Sequence, residues 1–136
     1  LRLVTGEIVE LLKSQKGGDA FAEERKYLGE ALEHLEKMLF AALGMMGKSI
    51  YLIGFNANRI LESLAEVVIG WLLLDHAILA QESLASATGD DVAFYQGKVA
   101  SARYFVRTVL PEIAARRKVL EASNLDLMEL DDAAFG

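Results

Sequence analysis

The stretch Val67-Val-Ile-Gly-Trp-Leu-Leu-Leu74, followed directly by Asp75-His76 and then Ala77-Ile-Leu-Ala80, is the most apolar part of the chain, and its reading decides the fold. Three readings compete: a membrane span, the lining of a cofactor site, or the core of a helical bundle. A spanning helix needs roughly 20 consecutive, mostly apolar residues. The run is shorter than that, with Glu62 and Glu66 before it and Asp75, His76 and Glu82 after it, so no membrane span is expected. A helix this short and apolar nearly all round reads as a buried central element of a bundle.

Working outward, apolar residues recur in steps of three and four, the spacing that places one stripe on a helix. Val4, Ile8 and Leu11 mark a short first helix that ends near Lys16-Gly17-Gly18, where a basic last turn followed by Gly is the expected stop signal. Asp19 is expected to cap a second helix in which Leu28, Leu32, Leu35, Leu39, Ala42 and Met46 share a face, with Glu23, Glu24, Lys26, Glu33 and Lys37 on the others and an end near Gly47. A third helix, from about Ile53 to Ser86, carries Leu64, Val67, Trp71, Leu74 and Ile78 and contains the opening stretch. Thr88-Gly89-Asp90-Asp91 reads as a turn followed by an N-cap.

The fourth helix is the most regular: Val92, Tyr95, Val99, Ala102, Val106, Val109 and Ile113 keep the phase for six steps. Pro111 lies inside that series and is expected to bend the helix without ending it. After Ser123-Asn124 the acidic segment Leu125 to Asp132 predicts a last short helix that ends at Ala133-Ala-Phe135. The expected architecture is therefore all-α, an up-and-down four-helix bundle with a short C-terminal helical tail, with residues 1–136 as a single domain. Small residues such as Gly70, facing inward, would allow close approach of neighbouring backbones.

Composition narrows the function classes. With 136 residues and 53% hydrophobic content, the chain can bury a core without disulfides or metals. Its 14 basic against 20 acidic residues give a net charge of −6, which opposes attraction to nucleic acid and to anionic lipid. It contains no cysteine, which removes thiol chemistry and thiolate metal sites and fits a cytoplasmic protein. Charges inside the first ten residues are unlike a signal peptide. A start at Leu1 rather than Met gives the expectation that the chain is a piece of a longer protein.

Candidate chemistry is sparse. Di-iron bundles need Glu-x-x-His on two helices. Here Ala31 stands three residues before His34 and Leu73 three before His76, so that ligand set is missing. Asp75 and His76 are adjacent, their side chains about 100° apart on a helix, a poor arrangement for one to orient the other. They read as a polar patch where the apolar helix leaves the core. Arg103, Arg107, Arg116, Arg117 and Lys118 place positive charge on the fourth helix; the spacing of Arg103 and Arg107 suits a phosphate or an acidic partner, although a solvated face paired with nearby Glu residues is the reading preferred. Phosphate loops, nucleophile elbows and zinc motifs are absent. No residue is assigned as catalytic, cofactor-binding or metal-binding.

The segment Phe94-Tyr95-Gln-Gly-Lys98-Val-Ala-Ser-Ala-Arg103-Tyr-Phe105, with Val109-Leu-Pro111, Leu127-Met-x-Leu and Ala134-Phe135, resembles the extra C-terminal helical domain of a subgroup of acyl-CoA dehydrogenases. Gly70-Trp71-Leu-Leu in the preceding helix fits the same pattern, so the likeness covers at least residues 51–135. The resemblance implies a parent flavoenzyme that oxidises an acyl-CoA thioester to its 2-enoyl form, passing a hydride to FAD, with the catalytic Glu and the flavin site in upstream domains. No FAD site and no activity would then reside in this chain alone. The implied partners are those upstream domains, the parent's acyl-CoA substrate and further copies in a homo-oligomer. A free-standing helical module that dimerises or binds a partner helix accounts for the same heptads.

Overall fold

The computed structural model describes residues 1–136 and contains five α-helices and no strand. In chain order they are α1 (Arg2–Lys13), α2 (Ala22–Met46), α3 (Ile50–Ser83), α4 (Asp90–Thr108) and α5 (Glu112–Glu121). The all-α bundle expected from the sequence is the one adopted, with α4 and α5 together forming its fourth arm. α3 packs chiefly on α4 and α2, α2 also receives α5, and α1 closes against α2 and α3. All five helices contribute to one cluster of buried side chains, among them Ile8, Leu35, Leu74, Val106 and Leu120.

Local chemistry explains where the helices begin and end. Only Gly47, Lys48 and Ser49 separate α2 from α3, a link short enough to make the two antiparallel neighbours. Ser49 is extended, and its Oγ accepts a hydrogen bond from the Tyr51 N–H at 3.2 Å, satisfying one of the free donors at the start of α3. At α4 the cap position is Gly89, at φ 58°, without a side-chain cap; Asp90 and Asp91 stand in the first turn, where acidic groups complement the helix dipole.

Several expectations are corrected. Asp19 does not cap α2; it lies in a 3₁₀ turn, Gly18–Phe21, and the residue before α2 is Phe21, fully buried. Packing fixes this entry instead of a polar cap. Gly17, at φ 85°, sits so close that an added Cβ would lie 2.8 Å from both Ile78 and Phe21. On α2 the buried residues include Met38 and Met45, whereas Met46 is exposed. Leu64 and Trp71 on α3 are only half-buried. The acidic tail forms no α-helix, only 3₁₀ turns at Asp126–Met128 and Asp132–Phe135.

Pro111 is a boundary rather than a bend. The Val109 N–H still donates to the Phe105 carbonyl at 2.9 Å, but the next bonds are of the tighter three-residue type: Glu112 to Val109 at 3.1 Å and Ile113 to Leu110 at 3.2 Å. Proline has no N–H to offer the Arg107 carbonyl, and its ring excludes that group, so the turn tightens. The tightening shifts the phase. Leu110 takes the buried position and Val109 becomes half-buried, while Ile113 stays in the core.

The opening stretch is buried on one face only. Val67, Gly70, Leu74, Ala77 and Ile78 are inside, whereas Ile69, Leu72 and Leu79 remain 43%, 41% and 50% exposed, because α3 has neighbours on one side. Nor is this helix short: at 34 residues it is about 51 Å long. By length and composition it is long and apolar enough to cross a membrane, since residues 63–80 include only Glu66 and Asp75 as charged side chains. Both acids are held by the bundle, Glu66 by Arg116 and Asp75 by Lys16.

Candidate functional site

The arginines of the fourth arm pair with carboxylates of this chain. Arg103 Nε donates to Glu24 Oε1 at 3.1 Å, an Arg103 Nη donates to the Ala20 carbonyl at 2.9 Å, and the guanidinium lies 5.1 Å from the centre of the Phe21 ring. Arg107 donates to the same Glu24 oxygen at 2.8 Å and to Glu23 at 3.0 Å. Glu24 is 1% exposed, although the sequence places it on an outer face of α2. It follows the phase of Phe21, Leu28 and Leu35, and two cations make an acid tolerable there.

Arg116 grips Glu66 of α3 with two bonds, 2.5 and 3.0 Å, and the hydrogen bond to Glu66 raises the guanidinium's already high pKa. Arg117 donates to Glu121 at 2.8 Å and lies 3.2 Å from His34 Nδ1. The expected pairing with nearby Glu residues is present, and in every case the partner or an added contact comes from another helix. The charges tie α4 to α2 and α5 to α3 and α2.

Asp75 and His76 are not paired with each other. Lys16 bonds Asp75 at 2.6 Å, pinning the connection after α1 to α3, while His76 is exposed beside Phe94, Tyr95 and Lys98. Nowhere do three or more acidic or histidine side chains converge as a metal would require. A polar pair missed by the sequence reading joins α3 to the end of α5: buried Asn56 donates to Ser123 Oγ at 3.0 Å. Asn56 and Glu24 share one signal, a polar residue in phase with a buried stripe.

The residues that carried the family resemblance have packing roles. Val99, Ala102 and Val106 point into the core beside half-buried Tyr95 and Phe105. Gly70 makes room for the Leu110 side chain, which would lie 3.0 Å from an added Cβ, so the close approach is of a side chain rather than a backbone. Phe94 meets Tyr95 edge-on at 5.5 Å and Lys98 at 5.3 Å.

What remains open is apolar. Phe55 of α3 with Leu127, Met128, Leu130 and Phe135 of the tail lines a cleft of about 610 Å³. Along α3 itself Ile50, Tyr51, Leu61, Ile69, Leu72 and Leu79 are all exposed by more than 40%. These surfaces can bury area against another body.

The helical bundle leaves large apolar faces open to another body. The chain belongs to the family described as "Acetyl-CoA dehydrogenase C-terminal like", whose pattern matches residues 4–131. It is similar to the broad-specificity linear acyl-CoA dehydrogenase of Mycobacterium tuberculosis, 39% identical over 97% of this chain and 23% of the relative. It is also similar to two butyryl-CoA dehydrogenases of Syntrophomonas wolfei: 28% identical over 95% of this chain and 21% of the relative, and 36% identical over 58% of this chain and 13% of the relative. The chain thus spans less than a quarter of the length of these curated relatives.

Proposed function

We propose that this chain, as one domain over residues 1–136, serves as the accessory C-terminal part of an FAD-dependent acyl-CoA dehydrogenase. It packs on the catalytic core or at a subunit interface and supplies no catalytic residue of its own. The observation that carries this reading is the asymmetry of coverage: 97% of this chain, but only 23% of the relative, takes part in the match. The parent acts on an acyl-CoA thioester, assembles as a homo-oligomer and works in the cytoplasm.

FAD does not fit the residues of this chain. A dinucleotide diphosphate calls for free cations or a glycine-rich turn at a helix start. Arg103, Arg107, Arg116 and Arg117 are all committed to carboxylates of this chain, and in the cleft between α1 and α3 Lys16 is itself bonded to Asp75 beside Glu7 and Glu10. The apolar cleft near Phe55 has no cationic lining. In the proposed parent the flavin site belongs to upstream domains, and this chain by itself is inactive as a dehydrogenase.

The test is to capture the native polypeptide from source cells with an antibody against this chain, then measure its mass and absorbance. A polypeptide several times larger than 14.9 kDa with a bound-flavin spectrum is expected. A colourless polypeptide near 14.9 kDa would overturn the reading in favour of a free-standing helical module.

A further inference from the structure

We infer that the outer face of α3, from Ile50 to Leu79, is the surface by which this domain seats on the upstream domains of the parent polypeptide. The inference rests on the accessory-domain reading and names the face that does the packing.

The face is defined by phase. At 100° per residue, Leu61, Leu72 and Leu79 fall within about 20° of one another, and Ile50, Tyr51, Val68 and Ile69 flank them. The buried residues Ser63, Val67, Gly70 and Leu74 lie on the opposite side, against α2, α4 and α5. Between Ile50 and Leu79 the centre of the outer face holds apolar or small residues, Gly54 and Ala65 among them, with Asn58 and His76 near one edge and Ala57 and the Lys16-bonded Asp75 near the other. A surface helix is expected to be polar on its solvent side; one that is apolar all round is expected to be covered all round. Here half of the cover is present.

Three physical arguments select the occupant. The stripe is about 44 Å long and about 10 Å wide, on the order of 400 Å², near the upper end of what a monomer leaves open. A stable dimer needs about 800 Å² from each partner, so two copies meeting through this stripe alone fall short. A body on the same polypeptide needs less, because tethering holds it at an effective concentration of about millimolar, and interfaces between domains of one chain are typically small. More than three-quarters of each full-length relative lies outside the region that this chain matches, so such a body is at hand in the proposed parent.

A bilayer is disfavoured by charge. Glu62, Asp75 and Glu82 border the stripe and the chain carries −6 overall, which opposes approach to an anionic surface. At its N-terminal end the stripe passes from Tyr51 to Phe55, one turn on, and so into the apolar cleft with Leu127 and Leu130. That continuity extends the seat around one end of the bundle.

The absence of cysteine from this chain makes the test direct. In the purified full-length parent, Leu61→Cys, Leu72→Cys and Leu79→Cys are made singly, with Tyr104→Cys and Glu112→Cys as controls on α4 and α5. Maleimide labelling is followed peptide by peptide by mass spectrometry. The outer-face sites are expected to react at least about tenfold more slowly than the controls in the native enzyme and equally fast in urea. Equal rates in the native enzyme overturn the inference. A photo-crosslinker, p-benzoylphenylalanine in place of Leu72, identifies the cover: adducts to upstream peptides of the same polypeptide support it. Adducts only to α3 of a second copy, or protection that appears only on adding phosphatidylglycerol vesicles, overturn it. Failure of the accessory-domain reading is separate and visible beforehand, as a native polypeptide near 14.9 kDa without flavin.

Discussion

Leu72 and Leu74 are two residues apart on one helix, yet Leu74 is completely buried and Leu72 is 41% exposed. α2 shows the inverse, since Glu23 is exposed while its neighbour Glu24 is sealed inside with two arginines. Residue type therefore does not decide the side. Position around the helix does, and the partners available there decide whether the placement is stable. The inner side of the bundle is closed by its own helices, while the outer side of α3 has an apolar surface with nothing from this chain to cover it.

The largest effect should come from removing the cations that make the inner side tolerate Glu24. Arg103→Met combined with Arg107→Met leaves a buried carboxylate without a counter-charge and should cost about 3–5 kcal/mol in urea unfolding. Glu24→Gln should cost less, because both arginines are more than a third exposed and can rehydrate. An equal cost for the two would mean that Glu24 is not sealed off. Next, Leu74→Ala should cost about 2–5 kcal/mol as a cavity in a closed core. Leu72→Ala in this chain should stay within about 0.5 kcal/mol, as surface changes do. If Leu72→Ala matched Leu74→Ala, the contrast between the two faces of α3 would fail.

A smaller effect tests the fit between α3 and the fourth arm. Gly70→Leu adds a side chain where Leu110 already stands, and Leu110 is itself 1% exposed with little room to retreat. Overpacking of this kind should cost about 1–3 kcal/mol. A compensating Leu110→Ala should restore part of the loss; no recovery would mean that the two residues do not share the space.

Most of the fold was legible in the sequence because helices announce themselves by period. The stripe through Val99, Ala102, Val106 and Ile113 survived contact with the structure, and so did Leu28, Leu32 and Leu35. What failed was short-range detail in which packing competes with local chemistry: Phe21 displaced Asp19 as the device that starts α2, and Pro111 shifted burial from Val109 to Leu110. Cross-helix pairing was also illegible. Glu24 and Arg103 are 79 residues apart, and no local pattern announces that they meet. The open face of α3 was half-legible, since its apolar character was plain but a sequence does not say how many sides of a helix find neighbours.

The smallest effect concerns an ion pair that lies wholly on the outer side. Glu33 is bonded by Lys37 one turn on, and that hydrogen bond, followed by the charge of Lys37, holds its carboxyl below the usual carboxylate range. A pKa lowered on folding favours the folded state once pH exceeds the unfolded value, and the contribution disappears as pH falls through the lowered one. Glu33→Gln should therefore shift the urea midpoint slightly at pH 7, and the shift should shrink as pH falls below the ordinary carboxylate range. The group is fully exposed, so even at pH 7 the shift should be far below that of Arg103→Met with Arg107→Met. A loss at pH 7 as large as that of the buried cluster would break the distinction between the two sides, because charge pairing would then stabilise the bundle regardless of burial.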